Sequence, residues 1–97
     1  MVLLDLGELA AARTALERAL VIDEATYGPS HPQVATGVCN LGIVLRDLGE
    51  LAAARTAFER ALQIFQTSLG VEHPSTKTAQ AGLDAVMQAI STSPDTA

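Results

Sequence analysis

The sequence predicts an all-α fold of antiparallel helix-turn-helix repeats, and two observations support this prediction. The first is an internal repeat, because the segment Asp5–Ala15 recurs unchanged as Asp47–Ala57, 42 residues later. The same offset relates further residues downstream: Gly28 to Gly70, and His31-Pro32 to His73-Pro74. The second is composition, since hydrophobic residues make up 48% of the 97 residues but aromatic residues only 3%. A core of small and aliphatic side chains packs well as helix on helix.

Proline and glycine mark where the predicted helices begin and end. Pro32 and Pro74 suit the first turn of a helix, where a missing N–H costs nothing. Gly7 and Gly49 are expected where one helix ends and the chain reverses, because glycine adopts the left-handed conformation readily. The predicted helices cover residues 1–6, 8–27, 32–48, 50–69 and 74–91, and Gly28 and Gly70 close the second and the fourth. Residues 92–97 are predicted to form a disordered tail.

The third and fourth predicted helices carry a recognisable set of signature residues: Asn40, Leu41, Gly42, Leu45, Gly49, Leu51, Ala54, Phe58, Ala61 and Leu62. This set resembles a tetratricopeptide repeat, although Val38 stands where that family usually has tryptophan. The 42-residue period resembles the longer variant found in kinesin light chains. The resemblance implies a single array over residues 1–91, stacked as a short right-handed α-solenoid. Its parts would be a truncated first repeat (1–28), a complete second repeat (31–70) and a C-terminal capping helix (73–91).

The capping prediction rests on a comparison between the third and fifth helices, which occupy equivalent places in the repeat. The third helix is apolar on two faces. The fifth keeps one apolar stripe, made of Ala79, Leu83, Val86 and Ile90. Its second stripe becomes Gln80, Asp84 and Met87. A single apolar stripe with a polar opposite side is typical of a terminal helix that faces solvent.

At the N-terminal end, by contrast, the sequence predicts a helical face that is not capped. The first repeat lacks most of its opening helix, so an apolar face is expected to have lost its partner within the chain. The residues assigned to this self-association face are Leu3, Leu9, Leu16 and Leu20. Two explanations remain open, namely that upstream repeats have been cut away or that two copies pack together as a dimer.

The resemblance also implies a binding groove, because relatives line their concave surface with the first helix of each repeat. Carried over by position, its residues are Thr36, Cys39, Asn40, Ile43, Arg46 and Asp47 on the third helix and Thr78, Ala81, Ala85 and Gln88 on the fifth. Asn40 is the sharpest candidate, since relatives use an Asn there to bind a peptide backbone or carboxylate. The alternative is an amide satisfied by neighbouring repeats. The equivalent position on the fifth helix is Gly82, which weakens the case for extended peptide recognition.

Other chemistry is not indicated. Cys39 has no neighbouring cation in sequence to activate it, and His31 and His73 lack the rest of a metal-ligand set. Arg13 with Glu17, and likewise Arg55 with Glu59, fit same-face ion pairs. No catalytic motif occurs, so the sequence predicts neither an enzyme nor a bound cofactor or metal.

Charge and hydropathy narrow the choice of partner. The formal net charge is −5 without a basic run, which argues against nucleic acid. No apolar run reaches membrane-spanning length, and a single cysteine fits the reducing cytoplasm. Two hypotheses remain. One is a non-catalytic scaffold that binds a protein or peptide in the concave groove, and the other is a self-assembly element that forms a homodimer through the N-terminal face.

Overall fold

The structure is a computed structural model that describes residues 6–92. Those residues form four α-helices and no strand: α1 (Leu6–Tyr27), α2 (Pro32–Asp47), α3 (Leu51–Leu69) and α4 (Pro74–Ser91). The predicted helix over residues 1–6 and the predicted tail therefore fall almost wholly outside the described residues, as does Leu3. The four helices correspond to the second to fifth predicted helices, with ends that differ by at most two residues.

Both helices that open with proline begin in the same way. The ring nitrogen Nδ1 of His31 accepts a hydrogen bond from the backbone N–H of Gln33 at 2.9 Å, and α2 follows. Nδ1 of His73 accepts from the N–H of Ser75 at 3.0 Å, and α4 follows. Each histidine thus satisfies one of the free N–H groups at a helix start. The two histidines are helix caps, as the sequence suggests.

The turns at the helix ends require left-handed backbone. Gly28, Gly49 and Gly70 have φ of 91°, 84° and 90°, and they are the glycines with positive φ in the described residues. The N–H of Gly49 donates to the carbonyl of Arg46 at 3.0 Å, and the N–H of Glu50 donates to the carbonyl of Leu45 at 2.9 Å. This arrangement satisfies carbonyls that the helix leaves free and turns the chain towards α3.

The predicted reversal at Gly7 is wrong. α1 begins at Leu6 and runs through Gly7 without a positive φ. The sequence match with Gly49 misleads because a left-handed glycine is needed only where a helix stops and folds back. The α-helical backbone of α1 continues through Gly7, so the same residue type adopts an ordinary helical conformation there.

Consecutive helices pack against one another as antiparallel neighbours, and α2 also contacts α4 directly. This is the arrangement of a helical-repeat solenoid, in which each pair of helices is covered by the next. One core joins α2, α3 and α4, and its buried members are Val34, Ala35, Val38, Cys39, Leu45, Ala54, Ala57, Phe58, Ala61, Ile64, Phe65, Ala79 and Val86. Leu20 of α1 packs onto this core from the other side of α2.

The Phe58 ring lies between glycines of two helices. Phe58 belongs to α3 and is 1% exposed. A Cβ atom built on Gly42 of α2 would lie 3.0 Å from Cε2 of the ring. One built on Gly82 of α4 would lie 2.7 Å from Cδ1 of the ring, which is closer than two non-bonded carbon atoms can approach. Glycine at both positions therefore lets α2 and α4 close against the two edges of the ring.

We expect Gly82→Ala to lower the free energy of unfolding by about 1–3 kcal/mol, because the added methyl group overpacks the space that the Phe58 ring fills. Urea unfolding followed by circular dichroism measures this difference. The cost should shrink in a Phe58→Leu background, since a smaller side chain at position 58 leaves room for the methyl group.

Gly37→Ala is the matched control for this prediction. Gly37 lies inside α2, and a Cβ there would meet only Leu20 at 4.0 Å, an ordinary contact. Alanine should stabilise the helix by roughly 0.5–1 kcal/mol at this position. Equal effects of Gly37→Ala and Gly82→Ala would contradict the packing of Phe58 described above.

Candidate binding groove

The two rows of predicted groove residues lie on α2 and α4, which are in contact. The exposed members are Thr36, Asn40, Ile43, Asp47, Thr78, Ala81, Ala85 and Gln88. Arg46 is half-buried, and Cys39 is only 7% exposed. Because both rows belong to neighbouring helices, their side chains can form the walls of one surface channel.

The first part of this channel is a depression of about 210 Å³, which we call the amide depression. It is lined by Thr36, Cys39, Asn40, Ile43, Phe65, Pro74, Ser75 and Thr78. Its walls carry an amide and three hydroxyl groups, and its remaining lining is apolar. Such a mixture of an apolar surface with a few polar groups is common where proteins bind ligands.

The second part is a depression of about 240 Å³, which we call the Phe58 depression. It is lined by Cys39, Ile43, Arg46, Phe58, Thr78, Ala81 and Gly82. Cys39, Ile43 and Thr78 also line the amide depression, so the two depressions are adjacent and share a wall. The Phe58 depression is mainly apolar and carries one cationic group, from Arg46.

Seven of the ten predicted groove residues line these two depressions. Asp47, Ala85 and Gln88 line neither. They are exposed on the same helices, further along towards the C-terminal end of each. The structure thus brings together the central part of the predicted groove and leaves these three residues beyond it.

The polar groups of the amide depression differ in what they leave available. The hydroxyl of Thr36 donates to the carbonyl of Pro32 at 3.1 Å, and that of Thr78 donates to the carbonyl of Pro74 at 3.0 Å. Each threonine therefore keeps only acceptor capacity. Asn40 has no side-chain hydrogen bond within the described part of the chain. Its amide donors and its acceptor oxygen all remain free for a ligand.

Five lining residues were not predicted from the sequence, namely Phe58, Phe65, Pro74, Ser75 and Gly82. Ser75 could have been found from periodicity, because it precedes Thr78 by three residues and so shares its helix face. The two phenylalanines come from α3, which the groove prediction did not consider. Phe65 lies at the floor of the amide depression and Phe58 at the floor of the Phe58 depression, because α3 packs beneath α2 and α4.

Cys39 lies at the wall shared by both depressions. Burial raises the pKa of its thiol above the ordinary value, because a thiolate loses hydration in this environment. The neutral thiol therefore predominates at neutral pH. This agrees with Cys39 acting as a small packing residue and not as a reactive nucleophile.

The charged groups near the groove are weakly paired. Nε of Arg46 lies 3.5 Å from Oδ1 of Asp47, and the two side chains are 36% and 47% exposed to water. The pairs predicted along the helices are confirmed, Arg13–Glu17 at 3.5 Å and Arg55–Glu59 at 3.3 Å. Exposed pairs of this kind contribute little to stability. Arg46 is accordingly available to a negatively charged ligand group.

A larger depression of about 480 Å³ lies elsewhere, between α3 and the loop that joins α1 to α2. Its main charged residue is already engaged, since Arg60 donates to the carbonyl of Pro29 at 3.2 Å and pairs with Glu24 at 3.4 Å. Neither predicted groove row contributes to it. Its larger volume alone therefore does not make it a better candidate binding site than the amide and Phe58 depressions. In residues 6–92, no group of three or more His, Cys, Asp or Glu side chains could hold a metal ion.

The described residues of the predicted self-association face are less exposed than a free surface would be. Leu9 is only 6% exposed, Leu16 is half-buried, and Leu20 packs towards Gly37 of α2. Of these leucines, Leu20 lies against α2 and packs onto the core. Leu3 lies outside the described residues. The exposed large apolar side chains of α1 are Val21, Ile22 and Tyr27.

These features define a class of protein, a helical-repeat solenoid with an open groove between first helices of successive repeats. A sequence model described as tetratricopeptide repeat matches the chain twice, over residues 1–67 and 37–89. The chain belongs to the tetratricopeptide repeat family, whose repeats generally mediate protein–protein interaction. No curated protein matches it. None of the helices in residues 6–92 is long and apolar enough to cross a membrane.

We expect Cys39 to react with iodoacetamide at least about tenfold more slowly in the native chain than in urea, because the thiolate is the reactive form and burial disfavours it. Since the pKa is raised, the native reaction rate should begin to climb only at higher pH than for an ordinary thiol. Mass spectrometry of the alkylated chain follows both rates.

The matched control moves the thiol to an exposed site on α3, in the double variant Cys39→Ala/Ala53→Cys. Ala53 is exposed, so a cysteine there should react about equally fast in the folded and the unfolded chain. Rapid native alkylation of Cys39, at a rate close to that of this control, would show that the thiol is accessible and not buried.

Proposed function

We propose that this chain is a non-catalytic protein-interaction module, a scaffold that binds a peptide or partner segment in the groove between α2 and α4. The observation that carries the proposal is Asn40, whose amide has no hydrogen-bond partner in the described residues and lines the amide depression. An exposed amide with both donor and acceptor free is suited to a peptide backbone, which offers one of each.

The layout of the groove supports a short extended segment as ligand. The amide and Phe58 depressions share three wall residues, so they can receive neighbouring parts of one ligand. The amide depression offers hydrogen-bonding groups, whereas the Phe58 depression offers an apolar floor with Arg46 beside it. A main chain on Asn40 with an aliphatic side chain against Phe58 would use both.

Gly82 limits the number of amide groups that the groove can offer to a bound peptide. It occupies on α4 the place that Asn40 occupies on α2, and Phe58 leaves no space there for a side chain. The proposed ligand is therefore held by one amide and not by a continuing row of amides. This favours a short motif over a long extended peptide.

Further features support finer assignments within the same proposal. The 42-residue period and the His-Pro helix starts favour the longer, kinesin-light-chain-like variant of the repeat. The exposed side of α4, where Gln80 donates to Asp84 at 2.9 Å and Met87 is 40% exposed, supports a capping role for α4 in one array over residues 1–91. The single buried cysteine favours the cytoplasm.

The test is a selection of random displayed peptides on the full chain, followed by calorimetry with the enriched peptides. Asn40→Ala should weaken their binding about tenfold, the effect of losing roughly 1–1.5 kcal/mol of hydrogen bonding. Ala81→Trp should abolish binding, because Ala81 is exposed at the wall of the Phe58 depression and an indole there would fill it.

Two control variants carry the same chemical changes on α3, outside the groove. Gln63→Ala removes an exposed amide, and Ala53→Trp adds an indole at an exposed position. Both should leave peptide affinity within about twofold of the unaltered chain, as is usual for changes remote from an interface. The proposal fails if the selection enriches no peptide, or if groove variants and controls bind the enriched peptides equally.

A further inference from the structure

We propose that His31 and His73 form a pH-sensitive device, in which neutral rings hold the starts of α2 and α4 and protonation breaks both caps. The two histidines are 42 positions apart and make the same hydrogen bond. In each, Nδ1 accepts from the backbone N–H two residues later, at 2.9 Å and 3.0 Å. Since α2 and α4 both line the groove, the device acts on two walls of one surface.

The chemistry of the ring nitrogen makes each cap dependent on protonation. An imidazole nitrogen accepts a hydrogen bond only while it carries no proton, and in a charged histidine both ring nitrogens are donors. Protonation therefore leaves an N–H of the first helical turn without its partner. It also puts a positive charge beside the positive end of the helix dipole. Both effects loosen the helix start that a neutral ring stabilises.

Neither helix start has another side-chain cap within residues 6–92. The first turns of α2 and α4 contain no acidic residue. The hydroxyl groups of Thr36 and Thr78 donate to backbone carbonyls, so they do not satisfy an N–H. The two helix starts therefore depend on the histidines for this hydrogen bond.

The charged groups beside His73 are already paired with each other. They are Glu72 and Lys77, whose carboxylate and ammonium groups lie 3.5 Å apart. Residues 62–71, which form the end of α3 and the start of the following loop, have no titratable side chain. Because Glu72 has a cation beside it and is exposed, it gives a protonated His73 little additional stabilisation.

The charged groups that precede or approach His31 come from α1 and α3. They are Asp23 and Glu24 of α1 and Arg60 of α3, which pairs with Glu24 at 3.4 Å and donates to the carbonyl two residues before His31. In the first three turns of α2 the titratable side chain is Cys39, whose raised pKa keeps the thiol neutral. Glu24 is thus already engaged by another cation.

One aromatic contact distinguishes the two histidines. The Tyr27 ring of α1 stacks on His31, with ring centroids 4.8 Å apart and planes inclined by 26°. An aromatic face attracts a cation at this distance, so the contact offsets part of the cost of charging His31. The residue 42 positions after Tyr27 is Leu69, which has no aromatic ring. The cap at His73 should therefore carry the larger share of the pH dependence.

The start of α4 forms part of the groove wall. Pro74 and Ser75 are the first two residues of α4, and both line the amide depression. Histidine side chains ordinarily change charge at about pH 6.5. The caps should therefore be intact at about pH 7.5 and lost as the pH falls towards about 5. Release of a bound peptide on acidification would follow, a consequence that rests on the proposed function.

Urea unfolding at about pH 7.5 and about pH 5 tests the device. The unfolding equilibrium constant of the unaltered chain should rise about tenfold more between the two pH values than that of His31→Asn/His73→Asn. Asparagine is the matched control, because it supplies an acceptor at the cap and does not titrate. The carboxylates are common to both chains, so the comparison cancels their contribution.

Single variants test each cap separately. His73→Ala lacks the cap at either pH, so its unfolding equilibrium constant should be about fivefold above that of the unaltered chain at about pH 7.5. The two constants should converge at about pH 5. His73→Asn should remove more of the pH dependence than His31→Asn. The proposal is overturned if the double asparagine variant keeps the full pH dependence, or if His73→Ala matches the unaltered chain at about pH 7.5.

Calorimetry with enriched peptides that contain no histidine tests the link to the groove. Affinity for the unaltered chain should fall at least about threefold between the two pH values, and affinity for the double asparagine variant should stay within about twofold. An equal fall for both chains would overturn this link. The unfolding measurements use no peptide, so they decide whether the caps respond to pH even if the proposed function fails.

Discussion

The position of the Phe58 ring between α2 and α4 is the packing constraint on which the shape of the candidate groove depends. The ring comes from α3 and fills the space between Gly42 and Gly82, and no larger residue fits at Gly82. It therefore sets how closely the two helices approach and forms the floor of a depression between them. The groove is a consequence of this packing, because α2 and α4 touch the edges of the ring and stay apart above it.

α2 and α4 carry different residues at equivalent positions of the repeat. The residues 42 positions before Phe58 and Gly82 are Leu16 and Asn40. At Gly82 of α4, the Phe58 ring occupies the space that an asparagine side chain would need. Core packing and the side chains available at the groove surface are thus linked.

Much of the fold was predictable from local sequence signals. Proline after histidine marks the start of α2 and α4, and Gly28, Gly49 and Gly70 mark helix ends, because these residues act through their own backbone. Thr36, Asn40 and Thr78 were assigned to one groove by position in the repeat, and they do line one depression. The floor residues of α3 were missed, since a row read along one helix does not reveal which third helix lies beneath it.

The sequence by itself determined the period, the helices and the face of each helix that is apolar, because these depend on neighbours within a few turns. Only the tertiary structure decided which faces are covered. Identical segments at Gly7 and Gly49 differ in conformation because one lies inside a helix and the other at its end. Leu9 and Leu20 are covered and Ile22 is open, although all three are aliphatic residues of one helix. Burial depends on which helices stand alongside, and that is a property of the assembled array.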